Sequence, residues 1–162
     1  MRSIIIAVIL ALLIRSFVVE ILVVDGQSMY PTLEDGERVI VNRFVYYFSE
    51  PEAEEIAVFE YTEDRDFIKR VIGTPGDEIE IRGKKVYRNG ELVEEEYLNF
   101  QDKRRAQDYG PVVVPSGEYF VLGDNRENSK DSRSNSVGFV SEEQFKGRAF
   151  LVFWPFANLR LL

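Results

Sequence analysis

Hydrophobic positions follow two different patterns along this chain. After Ser3, the residues through Ile14 are Ile, Ala, Val and Leu without a charge, and no polar face recurs at helical spacing. Beyond position 18 the apolar residues come in short β-branched and aromatic runs closed by Gly, Pro, Asn and Asp. Residues 18–24, 38–42, 56–61, 67–72, 78–81, 86–88, 119–122, 138–140 and 149–153 are therefore predicted strands. Asn89-Gly90 and Thr74-Pro75-Gly76-Asp77 are predicted tight turns, and Ser141 caps a predicted single helical turn over 141–145. Short strands with regular turns argue an all-β domain of folded antiparallel sheets or barrel-like form.

The N-terminal run admits three readings. A cleaved signal peptide needs a small-x-small site, and Arg15-Ser16-Phe17-Val18 offers none. A core helix needs a polar face, which is missing. An uncleaved transmembrane anchor over 1–17 fits best. The run is short for a full span, which takes roughly 20 residues, and extending it takes in Arg15. Arg2 marks a cytoplasmic N-terminus, and Arg15 reaches the outer interface by snorkelling. Residues 18–162 are then expected to form a β-domain on the outer face of the cell membrane. Within it, 77–115 is a hairpin-like surface excursion. The acidic stretch 91–96 and the polar stretch 100–109 belong to that excursion and are assigned no chemistry.

Composition narrows the chemistry. With 162 residues, 45% of them hydrophobic and 13% aromatic, the chain is long enough to bury a core. It has no cysteine, which excludes disulfides, thiol nucleophiles and thiolate metal sites. It has no histidine, which excludes a Ser-His-Asp triad and histidine-ligated zinc. A nucleophile must be Ser or Thr, and its base Lys, a carboxylate, Tyr or the N-terminal amine. The formal charge of −8 argues against a nucleic-acid partner.

Three constellations carry candidate chemistry. Ser28 lies between Gly26 and Pro31, just after the first predicted strand, on the kind of fixed loop that collects catalytic groups. Taken alone, such a serine is a turn residue. Lys69 alternates with Phe67 and Val71 on one face of a predicted strand. Desolvation there lowers the lysine pKa, and a neutral amine takes a proton from a serine hydroxyl. The competing reading is an edge-strand lysine with its head in solvent. The loop 123–133 is dense in hydrogen-bonding side chains, including Asp124, Ser129, Asp131 and Arg133, and suits a scaffold for neighbouring rotamers. Its acidic spacing is not that of a calcium loop, so no metal or cofactor is expected.

Ser-Met-Tyr-Pro-Thr-Leu, then Phe-Ile-Lys-Arg-Val-Ile-Gly-Thr-Pro-Gly-Asp, then Gly-Asp-Asn-Arg-Glu-Asn-Ser-Lys-Asp-Ser-Arg resemble the successive signature boxes of type I signal peptidases, in the family's order. Gly36-Glu37-Arg38-Val39-Ile40-Val41 is similar to the intervening box, and the short single-anchor chain is similar to the Gram-positive-style branch. The resemblance implies a membrane-bound serine endopeptidase that removes signal peptides from exported preproteins after small-x-small sites such as Ala-x-Ala. It implies Ser28 as nucleophile, Lys69 as general base, Ser129 as the serine that orients the lysine, and Asp124, Asp131 and Arg133 as site support. Some family members carry a serine where this chain has Gly26. The Ser28 amide remains as oxyanion donor, with the Gly26 amide or a water to assist. Substrate is expected to add as an extended strand between the strand before Ser28 and the strand of Lys69, with a lipid bilayer as the second partner. Met29, Leu33, Val39 and Ile68 are expected to line shallow apolar pockets, the alternative being ordinary core packing.

Two other functions compete. A Ser-Lys self-cleaving regulator would need a DNA-binding domain in place of the apolar N-terminus. A non-catalytic, membrane-tethered β-domain explains the anchor and strands but leaves Ser28, Lys69 and the polar loop as coincidences.

Overall fold

The computed structural model describes residues 4, 6, 19–98 and 108–162. Twelve strands occur among them: β1 (Val19–Val23), β2 (Arg38–Asn42), β3 (Ile56–Thr62), β4 (Arg65–Gly73), β5 (Glu78–Arg82) and β6 (Lys85–Arg88), then β7 (Glu91–Leu92), β8 (Tyr109–Val113), β9 (Glu118–Leu122), β10 (Val140–Ser141), β11 (Phe145–Trp154) and β12 (Arg160–Leu161). Every pairing is antiparallel. The larger sheet has eight strands in the order β1-β2-β11-β3-β4-β9-β10, with β12 also on β11. The smaller runs β7-β6-β5-β8. Among the described strands neither path closes into a barrel.

The side-chain period explains the layering. Ile56 and Val58 of β3 pack into one apolar cluster with Val39, Val41, Ala149 and Val152, while Ala57 and Phe59 pack into another with Val71, Tyr119, Val121 and Phe145. Both faces of β3 are thus covered, and its first four residues are buried without interruption. A third cluster, Ile72, Ile79, Ile81, Val86, Val114, Phe120 and Leu122, seats the small sheet against β4 and β9. At roughly 25 cal/mol per Å² of apolar surface removed from water, these three clusters are the main source of stability.

Each predicted strand falls on an observed one. β11 begins at Phe145 and not at 149, because Lys146 and Arg148 alternate outward between the buried Phe145, Gly147 and Ala149. β10 begins at Val140 and not at 138. Strands β7, β8 and β12 have no counterpart among the predictions. Asn89-Gly90 forms the two-residue turn between β6 and β7, with Arg88 opposite Glu91 and φ of 55° and 80° at the turn residues. Both angles are left-handed, which suits Asn and Gly. The predicted turn at 141–145 is a short helical turn over Glu142–Gln144, and the Ser141 amide donates to Gln144 Oε1 at 2.9 Å.

The expected anchor over 1–17 lies outside the described residues except for Ile4 and Ile6. Among the described residues, no helix is long and apolar enough to cross a membrane. The stretch 100–109 also lies outside them apart from Asp108 and Tyr109. The stretch 91–96 is not wholly a surface excursion. Glu95 is buried, and its carboxylate takes both Nη atoms of Arg126, at 3.1 Å for Nη1 to Oε2.

Candidate active site

Ser28 sits on a loop pinned at both ends and from below. Val24 donates its amide to Glu37 O at 2.8 Å, and Gly36 returns a bond to Val24 O at 2.9 Å, which closes the loop over 24–37. Met29 and Leu33 drop into the first core cluster and expose no more than 1% of their surface. The Leu33 amide bonds Met29 O at 2.9 Å. Arg160 and Asn158 hold the Glu37 carboxylate beneath the loop, with Arg160 Nη1 to Oε1 at 2.8 Å and Asn158 Nδ2 to Oε1 at 2.9 Å. Burial raises the Glu37 pKa, but these bonds and the Glu34 amide outweigh it and keep the carboxyl below its usual value.

Lys69 approaches from β4. It stands opposite Ala57 and on the same face as Phe67, whose ring centroid is 4.9 Å from Nζ. Its exposure is only 4%. Nζ lies 2.8 Å from Ser28 Oγ and donates to Ile68 O at 2.9 Å. Burial pulls the Lys69 pKa down from 10.5 to about 8, against the opposing pull of Asp131 and Asp124. A hydroxyl and an amine near neutrality at this separation can exchange a proton.

The loop after β9 braces both groups. Asp124 is fully buried and receives Arg70 through Nε to Oδ1 at 2.9 Å and Nη2 to Oδ2 at 2.7 Å, with Thr32 Oγ1 on Oδ2 at 2.5 Å. Asp124 therefore ties the strand of Lys69 to the loop of Ser28. Asp131 accepts Arg133 Nε and Nη2, both at 2.8 Å, and the Gly123 amide at 3.0 Å. Arg126 bridges from the Glu95 carboxylate to Gly123 O, with Nε at 3.0 Å. Asn125 crosses to the Ser28 loop, its amide on Ser28 O at 3.0 Å and its Nδ2 on Gln27 O at 2.9 Å.

The structure brings together Ser28, Lys69, Asp124, Asp131 and Arg133. Two site residues are arranged otherwise than expected. Ser129 Oγ is buried beside Gly123 and makes no hydrogen bond among the described residues, Lys69 Nζ being engaged by Ser28 and Ile68. The Gly26 amide donates to Asp35 Oδ1 at 2.7 Å, so this N–H is committed to a carboxylate and is not open to an oxyanion. Met29, Leu33 and Val39 lie inside the core cluster, and Ile68, half-buried, packs against it. Among the described residues no group of acidic side chains is placed to hold a metal ion.

Sequence reasoning missed Arg70, Glu95 and Asn125. Arg70 carried a signal, since it shares the predicted strand with Lys69 and shares its face with the apolar Ile68 and Ile72. Glu95 carried none, lying within an acidic run.

The family model described as "Signal peptidase, peptidase S26" matches residues 1–154. The chain is 46% identical to Signal peptidase I S of Bacillus subtilis over 98% of this chain and 90% of that protein. It is 39% identical to Signal peptidase IB of Staphylococcus aureus, again over 98% and 90%. The crystal structure of a signal peptidase I from Enterococcus faecalis superposes with a TM-score of 0.54 at 34% identity, covering 62% of this chain and 97% of that one.

Proposed function

Because the chain belongs to the signal peptidase family, peptidase S26, and is a serine endopeptidase acting on preproteins with signal peptides, we propose that it cleaves with a Ser28/Lys69 dyad. The observation that carries this reading is the 2.8 Å separation of Lys69 Nζ and Ser28 Oγ in a nearly dry setting. Neutral Lys69 takes the hydroxyl proton as Ser28 Oγ attacks the carbonyl carbon before the cleaved bond. The resulting ammonium then protonates the leaving amine. Water, deprotonated by the same amine, hydrolyses the ester and frees Ser28. Asp131 and Asp124 stabilise the ammonium between these steps. Ser129 Oγ, which makes no hydrogen bond among the described residues, is available to orient it after a side-chain rotation.

Substrate binding by strand addition is supported by two free edges. Among the described residues β1 pairs with β2 alone, and 65–69 of β4 pair with β3 alone until Arg70 meets β9. Ile68 borders that edge. A shallow wall of Ile68 backed by Met29, Leu33 and Val39 favours small side chains by steric exclusion, which accounts for an Ala-x-Ala preference.

A membrane location is supported by the apolar run before β1 and by the surface beside it. Val19, Ile21 and Val23 are exposed on β1, and the exposed Phe44, Tyr47 and Phe48 cluster just past Asn42, which pairs with Val19 at the start of β1. Such aromatics suit the interface of a bilayer. The N-terminus is then cytoplasmic and the catalytic domain lies on the outer face of the cell membrane.

The test is cleavage of a preprotein with an Ala-x-Ala site by the wild type and by Ser28→Ala and Lys69→Ala. Both variants should lose activity by several orders of magnitude. Wild-type turnover by either would overturn the dyad.

A further inference from the structure

A tetrahedral oxyanion at Ser28 needs a donor, and this chain has few. Position 26 is glycine and offers no side chain, and its amide already belongs to Asp35. The Ser28 amide, by contrast, donates to no hydrogen bond among the described residues. It is the open N–H beside the nucleophile. Its direction is set by the peptide unit that joins Gln27 to Ser28. In a planar trans peptide the C=O and N–H point in opposite directions, so whatever fixes the carbonyl fixes the N–H. Gln27 O accepts Asn125 Nδ2 at 2.9 Å and the Tyr30 amide at 3.2 Å. The next carbonyl, Ser28 O, accepts the Asn125 amide at 3.0 Å. One asparagine thus grips two successive carbonyls around the nucleophile.

We propose that Asn125 is a positioning residue for the oxyanion hole, holding the Gln27–Ser28 peptide so that the Ser28 amide faces the developing negative charge. The proposal rests on the Ser28/Lys69 reading and extends it to the stabilisation of the intermediate. Two effects act in the same direction. The side-chain bond restrains rotation of the peptide plane before reaction, so the donor need not reorganise as charge develops. A bond to the carbonyl also polarises the amide on its far side and strengthens it as a donor. Asn125 itself need not touch substrate. Its backbone bond to Ser28 O does not depend on the side chain, so the Leu and Asp variants test the Gln27 clamp without removing the donor of the loop contact.

Asn125→Leu keeps the approximate shape and neutrality without the donor. Asn125→Asp keeps the shape and turns the donor into an acceptor facing Gln27 O. Each purified variant is compared with the wild type and with Ser28→Ala for kcat and KM on an Ala-x-Ala peptide. The pH midpoint of kcat/KM is measured alongside. So is the affinity for a peptide boronic acid ending in Ala, which forms a tetrahedral adduct on a serine, and for the matching product peptide, which does not. The expected result is a loss of roughly 10- to 100-fold in kcat with KM and product-peptide affinity unchanged, an equal loss of boronate affinity, and the same pH midpoint. Asn125→Asp should lose at least as much as Asn125→Leu. An unchanged kcat in both variants would overturn the proposal. So would a loss confined to KM, a moved pH midpoint, or product-peptide binding that weakens as much as boronate binding, which would mean a generally loosened site. Activity in Ser28→Ala would instead overturn the dyad, a result distinct from any of these.

Discussion

Arg70 and Asp124 form a two-point ion pair, 2.9 and 2.7 Å, with the carboxylate fully buried and the guanidinium side chain only 10% exposed. Arg70 is the strand neighbour of Lys69, and Asp124 opens the loop that ends in Ser129, Asp131 and Arg133. The guanidinium also donates Nη1 to Glu54 O at 2.8 Å and lies 3.7 Å from the Tyr97 ring centroid. Removing one member leaves the other charged and buried without its partner. Asp124→Leu is therefore expected to lose about 3–5 kcal/mol in urea denaturation. The double variant Arg70→Met/Asp124→Leu should recover much of that loss, and equal losses in single and double variants would contradict this account of the pair.

Gly123 has no room for a side chain. A Cβ at this position would lie 2.2 Å from Ser129 Oγ and 2.4 Å from Ser28 O, and the second of these is backbone. Gly123→Ala must push the Ser28 loop away from the Asp131 loop. Peptide cleavage is expected to fall by roughly a hundredfold or more, in line with the sensitivity of catalysis to displacements of about 1 Å. Unchanged kcat would show that the two loops are not held in contact during catalysis.

Glu95 is expected to matter to the site although it stands far from it in sequence. Its carboxylate side chain is 3% exposed, receives the Tyr97 hydroxyl at 2.7 Å and both Nη atoms of Arg126, and Arg126 Nε holds Gly123 O. Glu95→Ala strands a buried guanidinium next to the 123–133 loop and should destabilise by about 3–5 kcal/mol. Hydrogen exchange should quicken at 123–133 before it does in β3. A variant that exchanges at the wild-type rate in that loop would sever the proposed link.

These contacts mark what could be read from sequence and what could not. Alternation on β4 placed Lys69 on an apolar face, and the chain's lack of histidine left lysine as one of few bases for Ser28. Both inferences use local order. Arg70 carried a signal in its apolar strand face, but its partner lies 54 positions away; Glu95 escaped because a charge in an acidic run looks solvated until its partner, 31 positions away, is known. β8 escaped because Gly110 and Pro111 interrupt the strand pattern, yet its place at the edge of the small sheet tolerates them. The commitment of the Gly26 amide to Asp35 was equally hidden, since it depends on the fold of the loop and not on its composition.

Burial of Lys69 has a stability consequence. Its folded pKa, about 8, lies below the unfolded value of 10.5. Below about pH 8 the folded protein carries a buried ammonium at a cost. Between about 8 and 10.5 the folded form has shed its proton while the unfolded chain still binds one, so stability rises with pH in that window. Lys69→Met removes this cost. In urea denaturation the variant should be more stable than the wild type near pH 7 by on the order of 2–4 kcal/mol, less whatever the lost hydrogen bonds supplied. The gap should narrow as pH approaches 10. A variant less stable at pH 7, or a gap that widens with pH, would contradict the burial of a lysine paying for charge.

The pH dependence of kcat/KM tests the central claim most directly. It is measured with an Ala-x-Ala peptide that has no ionising group between about pH 6 and 10. If neutral Lys69 is the base, kcat/KM should climb about tenfold per pH unit and level off above about 8, the value to which burial lowers the lysine. A profile flat from acid through neutral pH would contradict a lysine base at Ser28.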